Sequence, residues 1–251
     1  MLTSKEKKIF NIEEAEIEDG KPVDNIFSEK QMRLLTEPLY TSWESERYTN
    51  FLATANVGIF TEILENAIVP DVLLSLEVEK PENRTKKEDL CYYLDKIGKA
   101  PEVVIEIVSN KDGNELDSKL KDYGKIGVLY YAIYDPGFHI LKGKPMSSYR
   151  YIKGMAVGME KSWFEEVGLG LRLWEGFFED EYGVWLRWCD YFGKVISTGK
   201  ELSIQEKKRA EKEKDGFIQR AIERGKLTLK EIAEDFGVSE DYVKSIVKKH
   251  L

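Results

Sequence analysis

The segment 102–134 constrains the fold of this chain more than any other. It opens with the run PEVVIEIVSN, in which β-branched residues are as dense as in a buried strand. Turn-forming residues then separate this run from 114–124, which has the pattern of a short helix. A second apolar run follows at 128–134. Strand, helix and strand at this spacing predict a crossover between parallel strands, and hence an α/β core.

The flanking sequence predicts helices before this core and strands after it. A capping box at Ser28 begins a first helix, and 44–55 is predicted as a second. Further strands are predicted at 57–60 and 69–78, and aromatic-rich runs at 149–152, 169–174 and 184–188 predict a β meander. The predicted fold class is therefore α/β (α+β), with a mixed sheet flanked by helices and a C-terminal meander.

Changes in composition divide the chain into four parts. Residues 1–27 are a polar lead-in, and 28–200 form the main domain. Residues 201–216 are charged and poor in apolar side chains, which predicts a solvated helical linker. Residues 217–251 become periodic again and form a separate small all-α unit.

The scarce residue types exclude several classes of protein. Cys91 and Cys189 form no CxxC pair, so a disulfide framework is excluded and a reducing, cytoplasmic location is expected. His139 and His250 are the only histidines, which excludes a multi-histidine metal site. No signal peptide or membrane span is visible. Chemistry must therefore come from carboxylates, lysines and hydroxyls.

Glu106 is the most informative of the carboxylates. It lies inside the most apolar strand. Burying its charge there costs about 2 kcal/mol or more unless a partner compensates it. One compensation is a Mg²⁺ ion shared with a second carboxylate, for which Asp71, after Pro70, is a candidate. The alternative is a buried salt bridge, and the residues alone do not choose between the two.

Lys119 lies on the helix that follows. Leu116, Leu120 and Tyr123 form the apolar stripe of this helix, and Lys119 falls on the same stripe. Its amine is therefore expected to point toward the sheet, near Glu106. A lysine that extends its amine to solvent is the alternative.

These residues, taken in chain order, resemble the PD-(D/E)xK nuclease superfamily. Within this superfamily, the chain resembles more specifically a branch of uncharacterised bacterial restriction-endonuclease-like proteins, the Uma-type endonucleases. The resemblance covers roughly residues 28–200. It is carried by Pro70-Asp71, the run from Glu106 to Ser109, Lys119 with Tyr123, and Tyr134-Asp135-Pro136. The usual lysine two positions after the acidic residue is replaced here by Val108, and in this branch the lysine is moved to the next helix.

The resemblance implies a metal-dependent endonuclease that hydrolyses DNA phosphodiester bonds. It implies Asp71 and Glu106 as ligands of Mg²⁺ (or Mn²⁺), with Lys119 as the third catalytic residue, contacting the attacking water or the scissile phosphate. A homodimer is expected from the resemblance and from the need to cut two strands. A further acidic ligand is open among Glu44, Glu46, Glu62 and Glu65.

The C-terminal unit resembles a helix-turn-helix. A capping box at Thr228 begins one helix, Gly237 makes a turn and Ser239 caps a second helix. Possible nucleic-acid contacts are Lys244, Lys248 and Lys249, although residues 201–251 carry a net charge of only +1 against −9 for 1–200. A small bundle for dimerisation is the alternative.

Two other functions remain open from the sequence. One is a non-catalytic DNA-binding or regulatory protein that uses the C-terminal unit on a degenerate nuclease scaffold. The other is a phosphodiesterase that uses the same carboxylates on a small substrate.

Overall fold

The structure is a computed structural model that describes residues 25–79, 85–111 and 115–249. The chain forms two compact units, Met1–Ile196 and Ser197–Leu251. The lead-in 1–27 lies almost wholly outside the described residues.

The described residues of the first unit contain four helices and eleven strands. The helices are α1 (Ile26–Thr41), α2 (Lys87–Leu90), α3 (Leu94–Ile97) and α4 (Ser118–Ile126). The strands up to the crossover are β1 (Phe51–Ala55), β2 (Ile59–Phe60), β3 (Val72–Leu76), β4 (Tyr92–Tyr93), β5 (Val103–Ile107) and β6 (Tyr130–Tyr134). The later strands are β7 (Met146–Ile152), β8 (Met155–Gly158), β9 (Trp163–Phe164), β10 (Leu169–Phe178) and β11 (Glu181–Cys189). The architecture is the mixed α/β fold that the sequence predicts.

The central sheet has six strands in the order β1-β3-β5-β6-β7-β8. Only β5 and β6 run parallel within it, and α4 connects them, so the predicted crossover is confirmed. All the other neighbours in this sheet pair antiparallel. The carboxyl ends of β5 and β6 consequently lie at one edge, together with the start of β3, because β3 runs opposite to β5.

Two hydrophobic clusters cover the two faces of the sheet. The first contains Leu35 and Leu39 of α1, alternate residues of β3, β5 and β6, and Leu186 and Trp188 of β11. The second contains the apolar residues on the opposite face of these strands, together with Tyr123 and Ile126 of α4. Because both faces are covered, the central strands are apolar on both sides.

Two buried polar groups fasten α1 to the hairpin β10–β11. The Gln31 amide donates to the Leu186 carbonyl at 2.8 Å and accepts from the Leu186 N–H at 2.9 Å. The Trp188 indole N–H donates to the Leu35 carbonyl at 2.7 Å. The meander predicted from the aromatic runs is thus part of the main domain core.

Two sequence predictions are wrong in detail. Residues 51–55, assigned to a second helix, form the edge strand β1, whose odd-numbered residues pack on the first cluster with a period of two. Residues 149–152, assigned to the meander, belong to β7 of the central sheet, where Tyr149 pairs with Tyr131. In both cases the pattern of a short segment did not determine its secondary structure or its sheet, and pairing with a neighbouring strand did.

The second unit contains α5 (Gly199–Arg224), α6 (Leu229–Asp235) and α7 (Glu240–Lys249). Helix α5 runs without interruption through the segment 201–216 into the C-terminal unit. The three helices bury Ile218, Ile232, Ala233, Val243 and Ile246 against one another. Among the described residues, no helix is long and apolar enough to cross a membrane.

Asp135 organises the loop after β6. Its buried carboxylate accepts backbone N–H groups from His139 at 2.9 Å, Ile140 at 2.7 Å and Leu141 at 2.8 Å. Burial alone would raise the pKa of this carboxyl, but the three N–H donors outweigh it and hold the pKa below its usual value. The ionised carboxylate is therefore a structural part of the loop.

We expect Asp135→Asn to destabilise the protein by about 1–3 kcal/mol at neutral pH, because one amide oxygen replaces two carboxylate oxygens as acceptor. Since the folded pKa lies below the unfolded value, the stability from Asp135 is present above the unfolded pKa. It is lost as the pH falls through the folded pKa. Urea unfolding at neutral and acidic pH measures the difference.

The matched control is Asp122→Asn, which alters an ion pair with Lys125 on the surface of α4. We expect a change of at most about 0.5 kcal/mol for this variant. A penalty for Asp135→Asn that stays the same at acidic pH would contradict the assigned role of the ionised carboxylate.

Candidate active site

Glu106 lies on β5, with its side chain on the face covered by α4. Side chains alternate along a strand, so Glu106 shares this face with Val104 and Val108, which belong to the second cluster. Only 2% of Glu106 is exposed. The sequence thus places a carboxylate within an apolar layer, one residue before the end of the strand.

Two side chains of α4 reach this carboxylate. The Lys119 ammonium donates to Oε2 at 2.8 Å, and the Tyr123 hydroxyl donates to Oε1 at 2.6 Å. Lys119 and Tyr123 are four residues apart, which places them on the same face of the helix. The Lys119 amine therefore points toward the sheet, as predicted. Lys121, on the other side of the helix, is exposed.

The electrostatics of the pair follow from its burial. Burial raises the pKa of Glu106 above its usual value, although Lys119 and Tyr123, which both favour the charged form, oppose the rise. Burial alone would lower the pKa of Lys119, but Glu106, with Asp71 and Glu115 farther away, raises it above its usual value. Lys119 is therefore a cation, and the negative charge of Glu106 is only partly compensated.

Asp71 lies at the same edge, immediately before β3. Val72 pairs with Ile105, so the antiparallel register places Asp71 beside Glu106. Asp71 Oδ2 accepts the backbone N–H of Ile107 at 2.5 Å, which fixes the carboxylate at the end of β5. Its charge contributes to the raised pKa of Glu106. The structure thus brings all three sequence-predicted site residues to one edge of the sheet.

Glu115 is a fourth charged residue that the sequence analysis missed. It lies in the turn before α4, is 8% exposed, and its Oε1 is 3.9 Å from the Lys119 ammonium. Its Oε2 is buried and has no hydrogen-bond partner among the described residues. Glu115 precedes Lys119 by four residues in the sequence, but it lies outside the helix, so the spacing alone did not reveal its burial.

The open question of a third acidic ligand has no support in the described part of the chain. Within 25–79, 85–111 and 115–249, no three His, Cys, Asp or Glu side chains are grouped closely enough to hold a metal ion. The four candidates from the sequence, Glu44, Glu46, Glu62 and Glu65, are all exposed.

The lysines considered for nucleic-acid contacts lie in the second unit. Lys244 is near two acidic residues of its own helix, Asp241 at 3.3 Å and Glu240 at 3.8 Å. Lys248 is exposed, and the side chain of Lys249 lies outside the described residues. DNA contact through these residues stays a prediction.

The mixed sheet with its crossover has the architecture of a restriction-endonuclease-like fold. The chain belongs to the Uma2 family, described as "Putative restriction endonuclease", whose family model matches residues 10–143. No curated protein and no solved structure matches the chain.

We expect Lys119→Met to destabilise the protein by about 1–3 kcal/mol, because it leaves the buried Glu106 carboxylate with Tyr123 as its remaining donor. Adding Glu106→Gln should recover much of this loss, since a neutral amide needs no counter-charge. Urea unfolding of the single and double variants measures a coupling energy of roughly 0.5–3 kcal/mol. Additive effects would contradict the ion pair, and Lys121→Met is the matched control on the exposed side of α4.

Proposed function

We propose that the protein is a metal-dependent endonuclease that hydrolyses DNA phosphodiester bonds at the edge formed by Asp71, Glu106 and Lys119. The observation that carries this proposal is that Asp71, the buried Glu106 and the helix-borne Lys119 converge at one edge of the sheet. Family membership supports the endonuclease class, and this convergence supports the assignment of the site.

The donor set fits a hard divalent cation. Mg²⁺ is usually bound through one or two carboxylates and keeps its other positions for water and substrate phosphate. Asp71 and Glu106 supply two carboxylates, and the second of them is almost fully buried. These residues fit Mg²⁺ or Mn²⁺ as the metal.

The residues of the chain divide the work of hydrolysis. Asp71 and Glu106 would hold the cation, which when bound lowers the pKa of a water ligand and neutralises phosphate charge. Lys119, a cation by virtue of its carboxylate neighbours, would donate to the attacking water or to a phosphate oxygen as negative charge grows there. The Tyr123 hydroxyl orients the Glu106 carboxylate from the opposite oxygen.

The test is cleavage of plasmid and single-stranded DNA with Mg²⁺ or Mn²⁺, and with a chelator present. We expect Asp71→Asn, Glu106→Gln and Lys119→Ala each to reduce the rate by about 10² or more, and the chelator to abolish it. Lys121→Ala, two residues along the same helix, should cleave like the wild type. Unchanged cleavage by Glu106→Gln would refute the site.

The same assay separates the alternatives. Hydrolysis of a small phosphodiester without DNA cleavage would favour the small-substrate phosphodiesterase. DNA binding without cleavage under either metal would favour the non-catalytic protein. The homodimer stays a prediction, which light scattering of the full chain would test.

We expect Glu115 to act as a positioning residue for Lys119. Glu115→Gln should lower kcat roughly tenfold, within the range typical of residues that orient a metal site, and leave KM and the unfolding temperature nearly unchanged. The matched control is Asp117→Asn, whose carboxylate is 80% exposed. Equal kcat values for Glu115→Gln and the wild type would contradict this role.

A further inference from the structure

The loop 136–145, called here the edge loop, leaves the central sheet beside the candidate active site. It follows β6 directly, and β6 runs parallel to β5 with Ile133 opposite Glu106. The edge loop therefore begins at the same edge of the sheet at which Glu106 and Asp71 lie.

Contacts at several points fix the backbone of the edge loop. Asp135 accepts three of its N–H groups, and the Asp135 N–H donates to the Pro145 carbonyl at 2.8 Å. Leu141 is buried in the second hydrophobic cluster, which also contains Val108 at the end of β5. A segment held in this way presents its exposed side chains in a defined place at the edge.

The exposed charges of the edge loop are positive. Lys142 and Lys144 are exposed on either side of Gly143, whose φ of +80° makes the turn between them. Among the residues that the structure describes, no acidic side chain forms an ion pair with either lysine. Both ammonium groups are therefore accessible to a ligand.

The sequence around the edge loop lacks acidic residues. The chain has 46 Asp and Glu among 251 residues, yet none lies between Asp135 and Glu160. Asp135 itself is buried, and its carboxylate is used by backbone N–H groups. In an acidic protein, this stretch is a local basic surface next to two carboxylates.

We propose that the edge loop binds the phosphate backbone of a nucleic acid, with Lys142 and Lys144 each contacting a phosphate near the scissile bond. The proposal rests on the proposed function, because a phosphodiester substrate at Asp71 and Glu106 must extend over this edge. With a net charge of −8, the protein needs a local basic surface to receive a polyanion.

The opposite edge of the sheet supplies a matched control. Lys125 lies in the last turn of α4, and Lys153 lies in the turn between β7 and β8. The adjacent Gly124 and Gly154 approach each other closely there, which places both lysines at the amino end of β6. Changing this pair removes the same charge from the far side of the sheet.

The experiment measures binding of the full chain to a labelled duplex of about 30 base pairs, with a chelator present, from about 50 to 200 mM salt. Binding without a divalent metal is independent of cleavage. For Lys142→Ala/Lys144→Ala, we expect the slope of log affinity against log salt to become shallower by about 1.8. Affinity should fall roughly tenfold or more at intermediate salt. Lys125→Ala/Lys153→Ala should keep the wild-type slope.

The outcomes distinguish the edge loop from the proposed function. A smaller slope for the edge-loop variant alone supports the proposal, and equal slopes for both double variants overturn it. If the wild type cleaves DNA and the edge-loop variant binds and cleaves it identically, the proposed role of the edge loop is refuted. The proposed endonuclease function is then unaffected. If the wild type neither binds nor cleaves, both are refuted. Equal unfolding temperatures of the variants exclude misfolding as the cause.

Discussion

The buried carboxylate of Glu106 is the interaction on which the site depends. A negative charge on an apolar sheet face requires compensation, and here it comes from two side chains of one helix. Because Lys119 and Tyr123 bind opposite oxygens, the carboxylate, the helix and the strand are fixed relative to one another. Asp71 is fixed independently, through a backbone N–H of the same strand.

The arrangement follows from the single parallel pair in the sheet. A parallel connection requires a crossover, and α4 supplies it across the face on which Glu106 lies. The same geometry places the ends of β5 and β6 and the start of β3 at one edge. The fold thus brings together Asp71, Glu106 and Lys119 from three segments of the chain.

Much of this could be predicted from the sequence, because its signals are strong and local. The run PEVVIEIVSN indicates a buried strand that contains one charged residue, Glu106. The apolar stripe of α4 indicates the direction of the Lys119 side chain. The predictions for 44–55 and 149–152 were wrong, since short apolar segments take their structure from their partners in the sheet. Glu115 was missed because its burial is a property of the folded turn. The polar residues around it in the sequence are typical of an exposed loop.

The spacing within α4 has a consequence for how such sites are recognised. Lys119 and Tyr123 stand one helical turn apart, and Glu115 precedes them by the same interval. Inserting a residue between them would rotate one away from the carboxylate by about 100°. The connection from β5 to this helix can absorb changes in length, since loops tolerate them. Helix geometry therefore fixes the four-residue interval between Lys119 and Tyr123, whereas it does not fix the distance in sequence from Glu106 to Lys119.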